Sequence, residues 1–278
     1  MQKTVTRALT GLALAAAAFA AQAQTLNVVG INAANKIVRF TTATTGGVTV
    51  GASIVGLNPN DTTIIGADYR VQDGKLYVVG LGGGVYSVDT NSGQATAAAP
   101  LTVALSGGSF GVDFNPAADR LRIVSENGQN LRHNVNAGGT TANDDALDYP
   151  PATPANTSGP NANFVIATAY TNNDLSTTTG TTQFGVDTLR DQIAVQNPPN
   201  NGSLGATGLF NFNADTTQAS LDIFSKVVNG VTVSNTAYAV LNVGGNQGLY
   251  QVDLLTGTPK FIKALSTNVV SIAIPLNQ

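Results

Sequence analysis

The sequence predicts an all-β protein: a five-bladed β-propeller of four-stranded antiparallel blades, closed by a composite blade built from both chain ends. Three observations predict it. Apolar and polar residues alternate with period two in segment after segment, each ending at a Gly, Asp or Asn turn, as half-buried strands entering hairpins do. Three strand phrases recur in constant order at a spacing of about fifty residues, the length of a four-stranded propeller blade. Past residue 24, no window joins a capping box to helical periodicity.

The first phrase is short and apolar, as an inner strand buried on both faces must be. It reads IIGADY (Ile64–Tyr69), SFGVDF (Ser109–Phe114), SLDIFS (Ser220–Ser225) and VVSIAIP (Val269–Pro275). The second phrase follows a hairpin: TLNVVGI from Thr25, KLYVVGL from Lys75, RLRIVSE from Arg120 and TAYAVLN from Thr236. The third closes on an acidic or glycine turn: VYSVDTNSG (Val85–Gly93), QFGVDTLRD (Gln183–Asp191) and LYQVDLLTG (Leu249–Gly257), with weaker copies at Leu131–Gly139 and Ile37–Gly46. The chain opens with the second, third and outer strands of a blade (Thr25–Val55) and ends on a lone inner strand, so its two ends complete one another. Blades therefore start near residues 64, 109, 163 and 220, plus the composite. In the third blade, Asn163–Tyr170 reads either as the inner or as the second strand. The polar stretch Thr140–Asn161 carries Pro150, Pro151, Pro154 and Pro160 and reads as a surface loop. If it hides strands, the alternative is an irregular six-bladed ring.

Residues 1–23 read as a signal peptide. Lys3 and Arg7 form the positive n-region, Leu9–Ala21 the apolar core, and Ala21-Gln22-Ala23 the cleavage site. The apolar core is shorter than the ~20 residues of a membrane span, and no cysteine follows for lipidation. The expectation is export to the periplasm or the exterior, with residues 24–278 as a single monomeric propeller and no membrane insertion after cleavage.

Composition excludes much. Of the 278 residues only 10% are charged, well under a typical ~25%, so Asn, Thr, Ser and Gln must wet the surface. Loss of Lys3 and Arg7 leaves 11 basic against 16 acidic residues, a net charge of −5 with no basic run, which argues against nucleic acid. The absence of cysteine removes thiol nucleophiles, iron–sulfur and zinc-thiolate sites and disulfides. A single histidine, His133, removes multi-histidine metal sites. No cofactor is expected. The one cation candidate is Ca²⁺ at Asn143-Asp144-Asp145 and Asp148, although the EF-hand loop pattern is missing.

The runs FGVDFNPAADRLRIVSENGQNLRHN (Phe110–Asn134), AYTNN (Ala169–Asn173), TQFGVDTLRDQIAVQNPPNNGSL (Thr182–Leu204) and NTAYAVL (Asn235–Leu241) come in an order that resembles an exported bacterial family, domain of unknown function number 4394. The resemblance spans nearly all of the mature chain and implies a secreted propeller. It carries no established activity, so no catalytic residue follows from it.

Candidate chemistry concentrates in a few places. Gly107-Gly108-Ser109-Phe110-Gly111 matches the nucleophile-elbow pattern, yet a strand follows where that elbow needs a helix. Gly80–Gly84 resembles a dinucleotide fingerprint, again with a strand where a helix must begin. Asp68, Asp113 and Asp222 fall on inner strands, which line a propeller's channel. Carboxylates there serve glycoside hydrolases as acid and base, but they also serve structurally, accepting N–H bonds from their own turns. The only glutamate, Glu126, sits beside a hairpin, and there is no tryptophan platform for sugar. Asp89, Asp187 and Asp253 read as equivalent Asx-turn residues on third strands. Arg120, Arg122 and Arg132 cluster in the second blade, expected to face Asp113 and Asp119 as an ion-pair network or to offer bidentate donors to an anion or glycan. Gln196-Asn197-Pro198-Pro199 opens a polar loop suited to hydrogen-bonding a sugar or peptide.

Departures from blade symmetry gather in blades two and three, so the candidate ligand site is their junction. It comprises Asp68, Asp113, Asn115, Arg120, Arg122, Arg132, Asn172, Asn173, Gln196 and Asn197. The reading these residues favour is a secreted binding module for a glycan, peptide or envelope partner, with catalysis not required. The alternatives are a structural envelope or matrix component and a carboxylate-dependent polysaccharide hydrolase or lyase.

Overall fold

In the computed structural model, residues 24–150, 164–215 and 218–278 are described. The predicted signal peptide lies outside the described residues, as do Pro151, Pro154 and Pro160 of the predicted loop. Twenty strands form five four-stranded antiparallel sheets. Blade five joins β1 (Asn27–Asn32), β2 (Lys36–Thr41) and β3 (Thr49–Ser53) to the last strand, β20 (Val269–Ala273). Blade one is β4 (Ile64–Tyr69), β5 (Leu76–Gly80), β6 (Val85–Val88) and β7 (Ala95–Ala97). Blade two is β8 (Phe110–Asn115), β9 (Arg120–Ser125), β10 (Asn130–His133) and β11 (Thr141–Asn143). Blade three is β12 (Val165–Tyr170), β13 (Gln183–Asp187), β14 (Gln192–Gln196) and β15 (Leu204–Leu209). Blade four is β16 (Ala219–Val228), β17 (Val231–Val243), β18 (Asn246–Val252) and β19 (Pro259–Ala264).

The five-bladed ring and its composite closure are as the sequence predicts. β20 pairs with β1, and the Gln278 side chain bonds the backbone of Asn27 in both directions. Two local assignments change. The Thr140–Asn161 stretch does contain a strand, β11, but it is the outer strand of blade two and not part of a sixth blade. QFGVD is the second strand of blade three, because β12 is its inner strand. Asp187 therefore closes a second strand, whereas Asp89 and Asp253 close third strands. All three still cap their turns: each accepts the N–H groups of the residues two and three positions on.

Inner strands meet at the axis only if their side chains there are small. A Cβ on Gly66 would lie 2.3 Å from Val112 Cγ2, and one on Gly111 would lie 2.6 Å from the Thr168 backbone nitrogen. Both glycines are required by the closeness of neighbouring blades. Four of the five blade interfaces are filled by apolar clusters of eleven or more buried residues. Between blades two and three the cluster has only six, Val124, Leu147, Tyr149, Val165, Ala194 and Leu204. A polar network occupies the rest of that junction.

Candidate functional site

Each inner strand runs down the axis, so the chain order of its residues is also their depth. At the level of Asp68, Asp113 and Asp222 the carboxylate oxygens converge to within 4.8 Å of one another, and all three residues are buried. Hydrogen bonding explains the convergence. Asp68 accepts the N–H of Tyr69 and, across the blade boundary, that of Phe114. Asp113 accepts Tyr170 N–H from blade three. Asp222 accepts Ile223 N–H and, from blade five, Ile274 N–H. By this register the equivalent residues in blades three and five are Ala169 and Ala273.

Three carboxylates thus satisfy five axial N–H groups, one per blade, using five of their six oxygens. The sixth, Asp113 Oδ2, takes no hydrogen bond from the described residues. The carboxylates bind neighbouring blades together rather than their own turns, which corrects the expected mode of bonding. Burial raises the pKa of all three. Charge on Asp222 adds to the rise at Asp68, and charge on Asp68 and Asp222 adds to it at Asp113. Asp222 is pushed up to about 7. The group therefore retains protons where an exposed aspartate would have lost them. Among the described residues it is also the one set of acidic groups whose oxygens converge enough to hold a cation.

Above the carboxylates, Gly66, Gly111, Ala167, Ser220 and Ser271 enclose a void of about 10 Å³, the least that holds one water. Above that again the axis opens into a funnel of about 350 Å³, to which all five blades contribute. Ile65, Phe110, Ile166, Ala219 and Val270 form its apolar wall, and Thr63, Ser109 and Gln218 its polar members. The Gly107–Gly111 turn on its rim is pinned by Glu126, whose carboxylate accepts Gly108 N–H at 2.6 Å and Ser109 N–H at 2.8 Å. Strand β8 follows, so this turn is no nucleophile elbow. The Gly80–Gly84 turn is likewise a hairpin, joining β5 to β6.

Of the residues predicted at the junction of blades two and three, Asp113, Arg122, Arg132 and Gln196 are brought together there, but as mortar. Asp113, Arg122 and Arg132 are register partners across sheet two, facing Tyr170, Gln183 and Gln196, register partners across sheet three. Arg122 is 1% exposed. Its guanidinium donates to Tyr170 Oη, Asn130 Oδ1, Asp144 Oδ2 and Asn200 Oδ1. Arg132 makes a bidentate pair with the same Asp144 carboxylate, at 2.6 and 2.8 Å. Gln183 and Gln196 extend the network to Thr168, Asn130 and the Pro199 carbonyl.

Asp144 is thus the counterion of Arg122 and Arg132 in place of the expected Asp113 and Asp119, and its oxygens are engaged by guanidinium groups where calcium was considered. Asp119 is instead held by Arg70, at 2.7 and 2.5 Å, and that pairing depresses its pKa. Among the described residues Arg120 donates to the carbonyls of Ala118 and Asp119 alone. Asn115 closes its own turn through Ala118 N–H. Asn172 and Asn173 lie at a different junction, bonding Asn235, Ser225 and Ile223 of blade four. Asn197 is exposed. His133 is buried between Thr141 Oγ1 and the Ala99 carbonyl, and burial lowers its pKa, so it is held neutral.

Sequence reasoning missed two features. The funnel wall is made of single apolar residues 45 to 56 positions apart, which no local pattern groups. The other is the extension of β16 and β17 beyond the ring, signalled by Val-Val-Asn-Gly-Val-Thr-Val (Val227–Val233), in which an Asn-Gly turn lies between alternating apolar residues.

The family profile described as Domain of unknown function (DUF4394) matches residues 36–273. No curated protein matches the chain. Among solved structures, the chain is similar to an auxiliary nutrient binding protein from Bacteroides ovatus (12% identity, TM-score 0.43), with 76% of this chain and 55% of that one covered. It therefore spans about half the length of that protein. It is also similar to a periplasmic gluconolactonase from Pseudomonas aeruginosa (12% identity, TM-score 0.42; 87% and 83% covered) and to a protein from Lactobacillus plantarum (15% identity, TM-score 0.40; 90% and 99% covered).

Proposed function

The chain belongs to the family Domain of unknown function (DUF4394), and we propose that this member is an exported, non-catalytic binding propeller whose small-molecule ligand sits in the axial funnel. The observation that carries the reading is the funnel itself. It is a cavity of about 350 Å³, within the size range of small-ligand sites, and it combines an apolar wall with a few convergent polar groups. Among the described residues no charged side chain lines it, which favours an uncharged ligand with an apolar face and at least one hydrogen-bonding group. Export rests on the n-region, apolar core and cleavage site of residues 1–23.

A hydrolase would need its carboxylates within reach of a substrate. Asp68, Asp113 and Asp222 instead lie beneath a void that takes one water, with five oxygens committed to backbone N–H groups. An envelope or matrix role would leave the funnel without a use.

The test is a thermal-shift screen of the mature protein against neutral monosaccharides, short glycosides and apolar alcohols, followed by calorimetry on any hit. Val270→Phe fills the inner end of the funnel and should abolish binding while the protein stays folded. A hit that binds Val270→Phe as tightly as wild type places the seat elsewhere.

A further inference from the structure

Blade four breaks the ring's symmetry at the end of the inner strands opposite the funnel. Its first two strands have 10 and 13 residues, where those of the other blades have 5 or 6. The surplus is a two-stranded arm, tied to blade three where Thr232 and Asn235 bond Asp174 and Asn172. β17 pairs with β16 all the way to Val231, but with β18 only from Ala237 onward. From Val231 to Thr236 it therefore has a strand on one side only. Such an edge presents backbone donors and acceptors to any chain that can lie alongside. At its tip, Thr232 N–H is taken by the Asp174 carboxylate, leaving the stretch from Val233 to Thr236.

The bare edge leads into a corner. β18 leaves β17 at Val252, and the Asp253–Thr258 turn swings away to β19. The space between has a volume of about 730 Å³ and is lined by Asn235, Thr236, Gln251, Leu255, Thr258 and Lys260, among others. Apolar side chains stand exposed around it: Val233 is 59% and Leu255 72% accessible. Lys260 and Lys226, both exposed, make no ion pair among the described residues. The carboxylates of Asp174 and Asp253 are engaged by backbone N–H groups. The corner thus lacks a strand, an apolar cover and an anion.

We propose that this edge binds an extended polypeptide segment of a partner protein, added as a strand in line with β18, with apolar residues against Val233 and Leu255 and a carboxylate against Lys260. Backbone hydrogen bonds supply the affinity in this mode, and alternate side chains supply selectivity. A second copy of the chain fits less well, because its arm brings lysines to lysines and no free carboxylate. The inference does not depend on the funnel.

The experiment starts from the mature chain and a phage-displayed random peptide library. Enriched peptides should carry an acidic residue within an apolar alternation. Binding should weaken about three- to tenfold for each N-methyl group placed at every second residue, and be unaffected at the intervening ones, as lost single hydrogen bonds predict. Lys260→Glu should weaken binding at least tenfold. Replacing Lys226–Ser234 by Asn-Gly should abolish it, and Lys260→Glu keeps the test decisive should that shortened chain fail to fold. Three results overturn the proposal: no enriched peptide, peptides indifferent to Lys260→Glu and to N-methylation, or a sedimenting dimer that the shortened arm converts to monomer.

Discussion

The axial carboxylates make a prediction that runs against the usual behaviour of aspartates. A carboxyl raised in the folded state is protonated there while the unfolded chain has already lost its proton. Its stabilising contribution is complete below the unfolded value, 3.8, and is lost as pH rises through the folded one, about 7 for Asp222. For Asp222 alone that difference is on the order of 4 kcal/mol, a large share of the ~5–15 kcal/mol that holds a domain folded. Asp68 and Asp113 shift in the same direction. The expectation is a stability that declines as pH rises from about 4 through about 7, measured by urea unfolding.

The hydrogen-bond count separates the three residues. Asp113→Asn keeps an acceptor for Tyr170 N–H and sets an amide where Asp113 Oδ2 has no partner, facing two carboxylates. It should stabilise the protein above neutral pH and flatten the decline. Asp68→Asn and Asp222→Asn each turn an amide group toward a backbone N–H, and at about pH 5 each should cost about 1–3 kcal/mol. The reasoning fails if Asp113→Asn is as damaging as the other two, or if stability rises across this pH range. A melting temperature raised by calcium in wild type and not in Asp113→Asn would identify the group as a cation seat instead.

Three further outcomes follow from the ring and its mortar. Deleting Val269–Gln278 removes the inner strand of blade five and exposes two sheet edges, so cooperative unfolding should be lost or the protein should aggregate; a truncated chain that melts like the intact one would sink the closure. Arg122→Ala leaves Asp144 paired with Arg132 alone and takes a buried donor from Tyr170 Oη, Asn130 Oδ1 and Asn200 Oδ1, and a loss of about 1–3 kcal/mol is expected by chemical denaturation. That variant should leave funnel-ligand affinity unchanged in the protein that remains folded. Gly111→Ala places a methyl 2.6 Å from the Thr168 nitrogen; overpacking of this kind costs ~1–3 kcal/mol or more, read as a lower urea midpoint.

Strand content, the five blades and the composite closure were legible in the sequence. They rest on local signals: alternation of apolar and polar residues over five or six positions, and Gly, Asp or Asn at the turns. The Asx-turns of Asp89 and Asp253 were legible for the same reason. A misassigned phrase in blade three shows the limit, since the VDTLRD turn is chemically alike whether it closes a second or a third strand. The network at the second junction was half legible. Arg122 and Arg132 stood out as rare cations on one face, but their counterion, Asp144, lies in a stretch with no periodicity, and only packing of blade against blade selects it over Asp113.

Tertiary structure alone decided what the axis is. Asp68, Asp113 and Asp222 converge because ring closure brings inner strands 45 and 109 residues apart into contact, and no spacing in the sequence encodes which oxygen meets which N–H. The same closure turns isolated apolar residues, Ile65, Phe110, Ile166, Ala219 and Val270, into one funnel wall. It also leaves the blade-four arm outside. A strand's own residues determine that it is a strand and which side is apolar. What lies across from it depends on the register and twist of its neighbours, and on this ring those relations make every candidate site.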